Sequence, residues 1–454
     1  MPVIHKARPH VAPASNWPAI TRLSVENLFG RYSYPNLNFR PTEENDVALL
    51  YGDNGVGKTT ILKLIYSCLS PMTNEGNRTH LSKTPFSKLK IFMLDGSEVE
   101  VTKDDGALVG SYTFRINEFR LHVAADKAHT VRSDNNPRVD SIADELRKIK
   151  LDILFLADDR TIRSTYDIFS PAKVPPELSD VDVEFSAAQA RYIMAQHSYI
   201  QRRRLEDVEQ SQTVNLAHVI TAVVEWLSRK TRQKTSSGDE NASNVYLNVV
   251  KALSARGKTR EVKRVDRASL VKPLRELEAS TKNFQTFGLV GAYPLAEFIK
   301  IVNEAPDERI PDIESVLSPY IDSLITRLNA LDEVQLVMST FQEELNSYLR
   351  DKSVSLHVDH ELRFFDDKRT NISPSDLSSG ERQLLFLFCA ALMSRDGNSL
   401  FMIDEPELSL NVKWQRRLVS SLAKLASGAA TQFIMATHSI EILSQHRRSV
   451  IQLN

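Results

Sequence analysis

Cysteine and glycine are both scarce in this sequence, with 2 and 15 residues among 454. The two cysteines, Cys68 and Cys389, exclude a disulfide framework and a four-cysteine zinc site, so we expect small core residues in a reducing compartment. No apolar run reaches the roughly 18 residues that a membrane helix needs. The N-terminus has no hydrophobic segment of the kind that secretory signals contain. We therefore expect a cytoplasmic protein.

The sequence also lacks an excess of charge of either sign, because 57 basic residues balance 58 acidic ones and leave a net charge of −1. Such a balance gives no general attraction to nucleic acid or to anionic lipid, so contact with either requires a local patch. A hydrophobic fraction of 42% excludes a disordered chain. The length predicts about three domain-sized units.

Strand patterns at the two ends of the chain enclose a long helical pattern. Ile20–Leu28 alternates apolar and polar residues, Val47–Tyr51 is a short continuous apolar run, and hairpin signals fill residues 88–116. Residues 178–350 are rich in Gln, Arg, Glu and Leu and predict several helices. We therefore expect an α/β fold with an antiparallel β subdomain and three segments along the chain: 1–160, a helical insertion at 161–351, and 352–454.

Three of the glycines fall within six residues, between a predicted strand and a predicted helix. Residues 52–59 read GDNGVGKT and fit G-x-x-x-x-G-K-[ST] completely. In such a loop the backbone N–H groups wrap a phosphate, the lysine reaches the β- and γ-phosphate oxygens, and the threonine hydroxyl binds Mg²⁺. The sequence thus predicts a site for ATP and Mg²⁺, with these nucleotide-binding residues: Asp53, Asn54, Gly55, Val56, Gly57, Lys58, Thr59 and Thr60.

A second predicted strand, LFMI at residues 400–403, is followed directly by two carboxylates, Asp404 and Glu405. Beside a phosphate loop, the first carboxylate is placed to hold Mg²⁺ together with Thr59. The second is placed to polarise the water that attacks the γ-phosphate. We therefore predict Thr59 and Asp404 as metal-binding residues and Glu405 as a catalytic residue.

The segment LSSGE at residues 377–381 precedes an apolar helix pattern. Its serine and the glutamate three residues later form a capping box, which by itself explains a helix start and no more. The segment also lies some twenty residues before the Asp-Glu strand. In that place it resembles the signature motif of the ABC-type ATPases. Two further matches follow in the order of that family: Glu407–Asn411 in the place of the D-loop, and Ala436–Ser439 with His438 as the switch histidine.

The resemblance covers residues 18–160 and 352–454 and implies a P-loop, ABC-type nucleotide-binding domain interrupted by the insertion. It implies that Ser378 and Gly380 contact the γ-phosphate bound to the opposite subunit, and that His438 is catalytic. The chain is most similar to the SMC-, RecF- and OLD-like branch (AAA_15/AAA_21-type). The segments VENLFGRYSY and IDEPELSLNVKWQ resemble the ATPases of phage-defence systems such as PARIS and Septu.

This resemblance implies a Mg²⁺-dependent, dimeric switch ATPase that regulates a separately encoded effector in a bacterial anti-phage complex. Two alternatives remain: a RecF/SMC-like repair ATPase that acts on DNA, and an ATP-dependent assembly scaffold with little turnover. The expected partners are a second copy of the chain, in a homodimer or a higher homo-oligomer, and the effector, with no membrane contact. Nucleic acid contact through the insertion is left open.

The sequence departs from the family pattern in two places. Where the family has a glutamine at the end of the first half, this chain has Asp158-Asp159-Arg160, and the residue that replaces the glutamine is not identified. Many OLD-like chains have His-Pro where this chain has Asn411-Val412. No cysteine for a C-x-x-C hook occurs in the insertion, and we expect no TOPRIM nuclease site.

The insertion carries a basic stripe at residues 251–272, with eight Lys or Arg against two acids. Such a stripe suits phosphates or an acidic partner, although an ordinary solvated helix face is the preferred interpretation. The pair Asp180 and Asp182 is interpreted as part of a solvated loop and not as a nuclease site.

Overall fold

The computed structural model describes residues 17–40, 46–73, 75–131, 137–159, 162–165, 216, 219–235, 266–358 and 361–454. The chain divides into two compact units. Unit 1 spans Met1–Val219 and Ala391–Asn454, and unit 2 spans Ile220–Ala390. The predicted segment boundaries stay a prediction. Asp180, Asp182 and most of the basic stripe lie outside the described residues.

Unit 1 contains a six-stranded antiparallel sheet, as the hairpin signals predict. Its strands are β1 Ile20–Leu28, β2 Tyr32–Asn38, β4 Lys88–Met93, β5 Glu98–Lys103, β6 Tyr112–Ile116 and β7 Phe119–Val123, in the order β2-β1-β4-β5-β6-β7. The turn between β4 and β5 contains Gly96 at φ +89°, where the Asp95 side chain accepts a hydrogen bond from the Ser97 N–H. An Asp-Gly pair suits such a turn, because glycine adopts positive φ without strain.

Unit 1 also contains a second six-stranded sheet, in the order β15-β3-β14-β13-β8-β9. Its strands are β3 Val47–Tyr51, β8 Asp152–Leu156, β9 Ile162–Ser164, β13 Asn398–Asp404, β14 Ala430–Ala436 and β15 Val450–Gln452. All neighbouring strands are parallel except β8 and β9. The helices of this unit are α1 Lys58–Leu69, α2 Asn77–Lys83, α3 Pro137–Ile149, α9 Val412–Ala426 and α10 Ile440–Gln445.

The two sheets of unit 1 and helix α1 share one hydrophobic core. A buried glutamine connects the sheets: Gln432 on β14 donates to the carbonyls of Ile20 and Phe39, and its oxygen accepts from the Ile20 N–H. These bonds satisfy the amide that β14 carries into the core, where an unpaired polar group would be costly. Cys68 and Cys389 are fully buried, as the sequence predicts.

Unit 2 is mainly helical. It contains a helix over 219–235 (α4), α5 Arg267–Thr286, α6 Leu295–Glu304 and α7 Ile310–Tyr348, followed by a small antiparallel sheet of β10 Lys352–His357, β11 Glu361–Asp366 and β12 Asn371–Ile372. Helix α8, Ser379–Met393, begins in this unit. Pro319 lies inside the 39-residue α7.

The predicted α/β fold with an antiparallel β subdomain and a helical region is confirmed. Within the described part of the chain, none of the helices has the length and apolar character that crossing a membrane would take.

Candidate functional site

The phosphate-loop motif lies where the sequence places it, between β3 and the start of α1 at Lys58. Gly55 and Gly57 have φ of +85° and +99°, a backbone region that side chains disfavour. A Cβ on Gly57 would also approach Leu28 Cδ2 to 2.7 Å. Glycine is therefore required at residue 57 both by backbone geometry and by the close approach of β1.

The other loop residues differ in exposure. Asp53, Asn54 and Gly55 are exposed, while Thr59 and Thr60 on the first turn of α1 are half-buried. Val56 is buried, and its carbonyl accepts a hydrogen bond from the Tyr34 hydroxyl at 2.9 Å. The exposed tip can thus meet a ligand while the base of the loop is fixed to the antiparallel sheet.

The Lys58 ammonium folds back over the loop, donating to the carbonyls of Gly52 at 2.9 Å and Asp53 at 3.0 Å. Only 6% of the residue is exposed. Burial lowers the pKa of Lys58, while Asp404, Glu405, Asp53 and Glu407 oppose that change with their negative charge. The lysine therefore lies within the field of the carboxylates at the end of β13.

Asp404 ends β13 and is 3% exposed. Burial raises its pKa to about 6, with Asp158 and Glu405 adding to the rise, and the Thr59 hydroxyl and Lys63 oppose it. Among the described residues, its Oδ2 atom is buried without a hydrogen-bond partner. A buried acceptor without a hydrogen-bond partner destabilises the folded state unless a ligand binds to it.

These residues fit a magnesium ion. Mg²⁺ in nucleotide sites takes one or two protein oxygens and fills its remaining positions with water and phosphate oxygens. The free acceptor of Asp404 and the nearby Thr59 hydroxyl match that pattern. The described residues include no cluster of three or more His, Cys, Asp or Glu that would form an all-protein metal cage.

Glu405 follows Asp404 with φ +51°, in the left-handed region that non-glycine residues rarely adopt. Its N–H donates to the Ala436 carbonyl at 2.9 Å, which fixes it to the end of β14. His438, two residues beyond β14, places Nε2 at 4.0 Å from Glu405 Oε1. Both side chains are about one-third exposed, so a ligand and water can reach them.

The signature segment lies in unit 2 and forms the predicted capping box. The Ser378 N–H donates to Glu381 Oε2 at 2.7 Å, and the Glu381 N–H donates to Ser378 Oγ at 3.3 Å. Lys352 adds an ion pair to Glu381 at 2.8 Å. Ser378 is exposed, and Gly380 is buried in the first turn of α8.

Burial raises the pKa of Glu381, but the hydrogen bonds from Lys352 and Ser378 outweigh it, and the pKa is lower than usual. The signature turn is therefore a charged, internally satisfied helix start that presents a serine to solvent.

Two carboxylates of unit 1 join the site without having been predicted as site residues. Asp158 lies just past β8, with its Oδ1 atom 3.7 Å from Lys63 Nζ. Its negative charge adds to the rise in the pKa of Asp404. Glu407, in the D-loop segment, accepts hydrogen bonds from the loop that carries His438. Asp158 belongs to the segment where the sequence lacks the family glutamine. One sequence feature could have indicated Glu407 as a site residue: it is an acid that follows Pro406, only two residues after Glu405.

Unit 1 thus brings together Lys58, Thr59, Asp404, Glu405 and His438 at the carboxyl ends of its parallel strands, where open α/β sheets bind ligands. The arrangement offers backbone N–H groups, one cation, a metal-suited acceptor pair and a carboxylate open to water. That set is suited to binding and cleaving a nucleoside triphosphate.

Three solved structures are similar over most of the chain. One is the Smc head domain with an extended coiled coil bound to the C-terminal domain of ScpA, derived from Pyrococcus furiosus, at 12% identity, TM-score 0.41 and coverage of 94% of this chain and 92% of that chain. Another is an Smc head bound to the C-winged helix domain of ScpA, at 10% identity and a TM-score of 0.39, with coverage of 94% of this chain and 92% of that chain. A third is the SMC head domain from Thermotoga maritima, at 11% identity and a TM-score of 0.34, with coverage of 94% of this chain and 91% of that chain. The model of the AAA ATPase domain family AAA_15 matches residues 19–443, and the chain belongs to that family.

Proposed function

We propose that this protein binds ATP with Mg²⁺ at the sheet edge of unit 1 and hydrolyses it to ADP and phosphate. The observation that carries the proposal is the buried, unpaired Asp404 Oδ2 beside Thr59, with Glu405 and His438 4.0 Å apart next to it. A fold that needed these groups only for stability would be expected to pair the Asp404 oxygen internally.

Each residue then has a defined task. The backbone of residues 53–60 surrounds the phosphates, and Lys58 exchanges its carbonyl partners for the β- and γ-phosphate oxygens. Thr59 and Asp404 would hold Mg²⁺, which neutralises charge on the phosphates when bound. Glu405 orients the attacking water and accepts its proton, and His438 contacts the γ-phosphate region beside it.

The experiment that tests this chemistry compares the parental chain with Glu405→Gln. The substitution keeps the size and removes the base, so we expect bound ATP and a turnover number reduced roughly 10²–10⁴-fold. Glu441→Gln is a matched control, since Glu441 pairs with Arg416 on the exposed surface. Parental turnover by Glu405→Gln would show that the water is activated elsewhere.

We propose further that the active form is a homodimer in which Ser378 and Gly380 of one chain complete the ATP site of the other. The support is the match of residues 377–381 to the signature motif, together with the exposure of Ser378 at a helix N-terminus. Light scattering on Glu405→Gln should find dimers with Mg²⁺-ATP and monomers without nucleotide. A monomer in both conditions would contradict this proposal.

For the cellular role, we propose a regulatory ATPase of a bacterial anti-phage complex, in which ATP-driven closure controls a separate effector. The support is the similarity of residues 25–34 and 403–415 to the ATPases of such systems. Co-purification with the products of neighbouring genes tests it. Salt-sensitive DNA binding with no such partner would favour the repair alternative, and absence of turnover with Glu405 intact would favour a scaffold.

A further inference from the structure

The loop that carries His438 is anchored by a single carboxylate oxygen. Glu407 Oε1 accepts hydrogen bonds from the Thr437 hydroxyl at 2.8 Å, the His438 N–H at 2.7 Å and the Ser439 N–H at 3.1 Å. An acceptor that is lost leaves its buried or half-buried donors without a partner, which is costly. The three hydrogen bonds on one atom define the backbone position of the loop.

Glu407 itself is firmly placed relative to Glu405. It lies in the turn after β13 that is closed by a hydrogen bond from the Leu408 N–H to the Glu405 carbonyl at 3.1 Å. The Leu410 N–H in turn donates to the Glu407 carbonyl at 2.9 Å. The same short segment therefore positions Glu405 and anchors the loop of His438.

A second side chain supports the loop from helix α9. Gln415 accepts a hydrogen bond from the Ser439 hydroxyl at 2.7 Å and donates to the Leu410 carbonyl at 2.8 Å. The D-loop segment, Glu407–Asn411, and the loop 437–439 are thus joined at two points. A displacement of one segment must be transmitted to the other or must break these bonds.

We propose that Glu407 is a positioning residue for ATP hydrolysis, which couples the D-loop segment to the imidazole of His438. The proposal rests on the proposed function, and it adds that the acceptor oxygen Oε1 of Glu407 matters and that the charge of Glu407 does not. By holding the His438 N–H, Glu407 maintains the distance of 4.0 Å between His438 Nε2 and Glu405 Oε1. A misplacement of about 1 Å at such a site can cost roughly 10²-fold in rate.

An electrostatic role is the competing explanation, because the charge of Glu407 also acts on Lys58. The two explanations predict different results for two variants. Glu407→Gln keeps an acceptor oxygen for the three donors and loses the charge, whereas Glu407→Ala loses both. A positioning role thus predicts rescue by glutamine, and a charge role predicts two equally damaged variants.

The test measures ATP turnover, nucleotide affinity and hydrogen exchange of peptides that cover residues 437–439. We expect Glu407→Ala to lower kcat roughly 10- to 100-fold with ATP affinity almost unchanged. Its exchange at 437–439 should accelerate about tenfold, because the His438 N–H loses its acceptor and the Ser439 N–H keeps only the Thr437 hydroxyl. Glu407→Gln should stay within about threefold of the parental chain in both readouts, a difference of well under 1 kcal/mol.

Matched controls are Glu441→Ala and Glu441→Gln, which change a nearby carboxylate that touches none of the loop donors. If Glu407→Ala does not fold, Thr437→Val removes one of the three donors at nearly constant volume and should give a smaller loss in the same direction. The proposal is overturned if glutamine and alanine at residue 407 are equally damaging, or if exchange at 437–439 does not change. A parental chain without ATPase activity would contradict the proposed function instead, while the exchange data would still decide whether Glu407 anchors the loop.

Discussion

Two buried carboxylates, one in each unit, have opposite surroundings. Asp404 is 3% exposed and leaves one oxygen without a partner among the described residues, and burial raises its pKa to about 6. Glu381 is 7% exposed, but Lys352 and Ser378 hydrogen-bond to it and its pKa is lowered. Burial alone therefore does not distinguish a ligand site from a structural feature, whereas hydrogen-bond satisfaction does.

The same contrast extends to the segments around them. At the edge of the parallel sheet, the Lys58 cation rests on backbone carbonyls and the nearby carboxylates lack full partners. At the signature turn, the charges of Lys352 and Glu381 satisfy one another, and Ser378 is exposed. The first segment has groups that suit a nucleotide, and the second is an internally satisfied helix start.

Lys58→Ala should separate the two segments by the largest effect, a loss of ATP affinity. Hydrogen bonds to charged groups contribute about 1.5–3 kcal/mol, so we expect ATP affinity to fall roughly 10- to 100-fold. Titration with a fluorescent ATP analogue measures this loss. Ser378→Ala in the isolated chain should leave the same affinity nearly unchanged, and an equal loss in both variants would contradict the assigned roles.

Asp404→Asn should stabilise the nucleotide-free chain at pH 8. With a folded pKa of about 6 against 3.8 for the free side chain, the folded state holds more protons between those values. The free energy of unfolding therefore falls as pH rises from 4 to 6, and the cost above pH 6 is at most about 3 kcal/mol.

Urea unfolding at pH 8 and pH 4 in the absence of Mg²⁺ checks this sign. The asparagine variant should gain stability only at the higher pH and should lose the stabilisation that Mg²⁺-ATP gives the parental chain. A variant that is less stable than the parental chain at pH 8 would show that the carboxylate is satisfied in the free protein.

Glu381→Gln should have the opposite effect, of about 1 kcal/mol. The lowered pKa of Glu381 contributes stability that is present above pH 4.5 and disappears as pH falls through its folded pKa. Thermal unfolding should thus find the variant less stable at pH 7 and closer to the parental chain at low pH. Stabilisation at pH 7 would contradict the self-satisfied turn.

The smallest effect on turnover is expected from the basic stripe of the insertion. Reversing the charges of Arg260, Lys263 and Arg264, which lie outside the described residues, should leave basal ATP turnover nearly unchanged and abolish binding of a co-purified partner or of DNA. Retention of both binding activities would identify the stripe as a solvated face.

Local patterns made much of this site predictable. The phosphate loop is predictable because three glycines, Lys58 and Thr59 stand at a fixed spacing within eight residues. The capping box of Ser378 and Glu381 is also predictable, because its two residues are only three positions apart. Glu407 was not predicted as a site residue because its partners lie some thirty residues further along the chain. Gln432 was similarly hidden, since a glutamine in an apolar strand gives no sign of its bonds to Ile20 and Phe39.

The central claim is that one ATPase site forms from two chains: the phosphate-loop site of one chain, with its unpaired Asp404 oxygen, and the signature turn of the other. Mixing two inactive variants tests this claim most directly. Lys58→Ala inactivates the phosphate loop, and Ser378→Arg inactivates the signature turn. In a random mixture half of the dimers contain both variants, and each of these has one intact site of two, so activity should return to about a quarter of the parental value. If mixed dimers are demonstrated by pull-down of differently tagged chains and turnover stays at the level of either variant alone, the ATP site is not shared between two chains in this way.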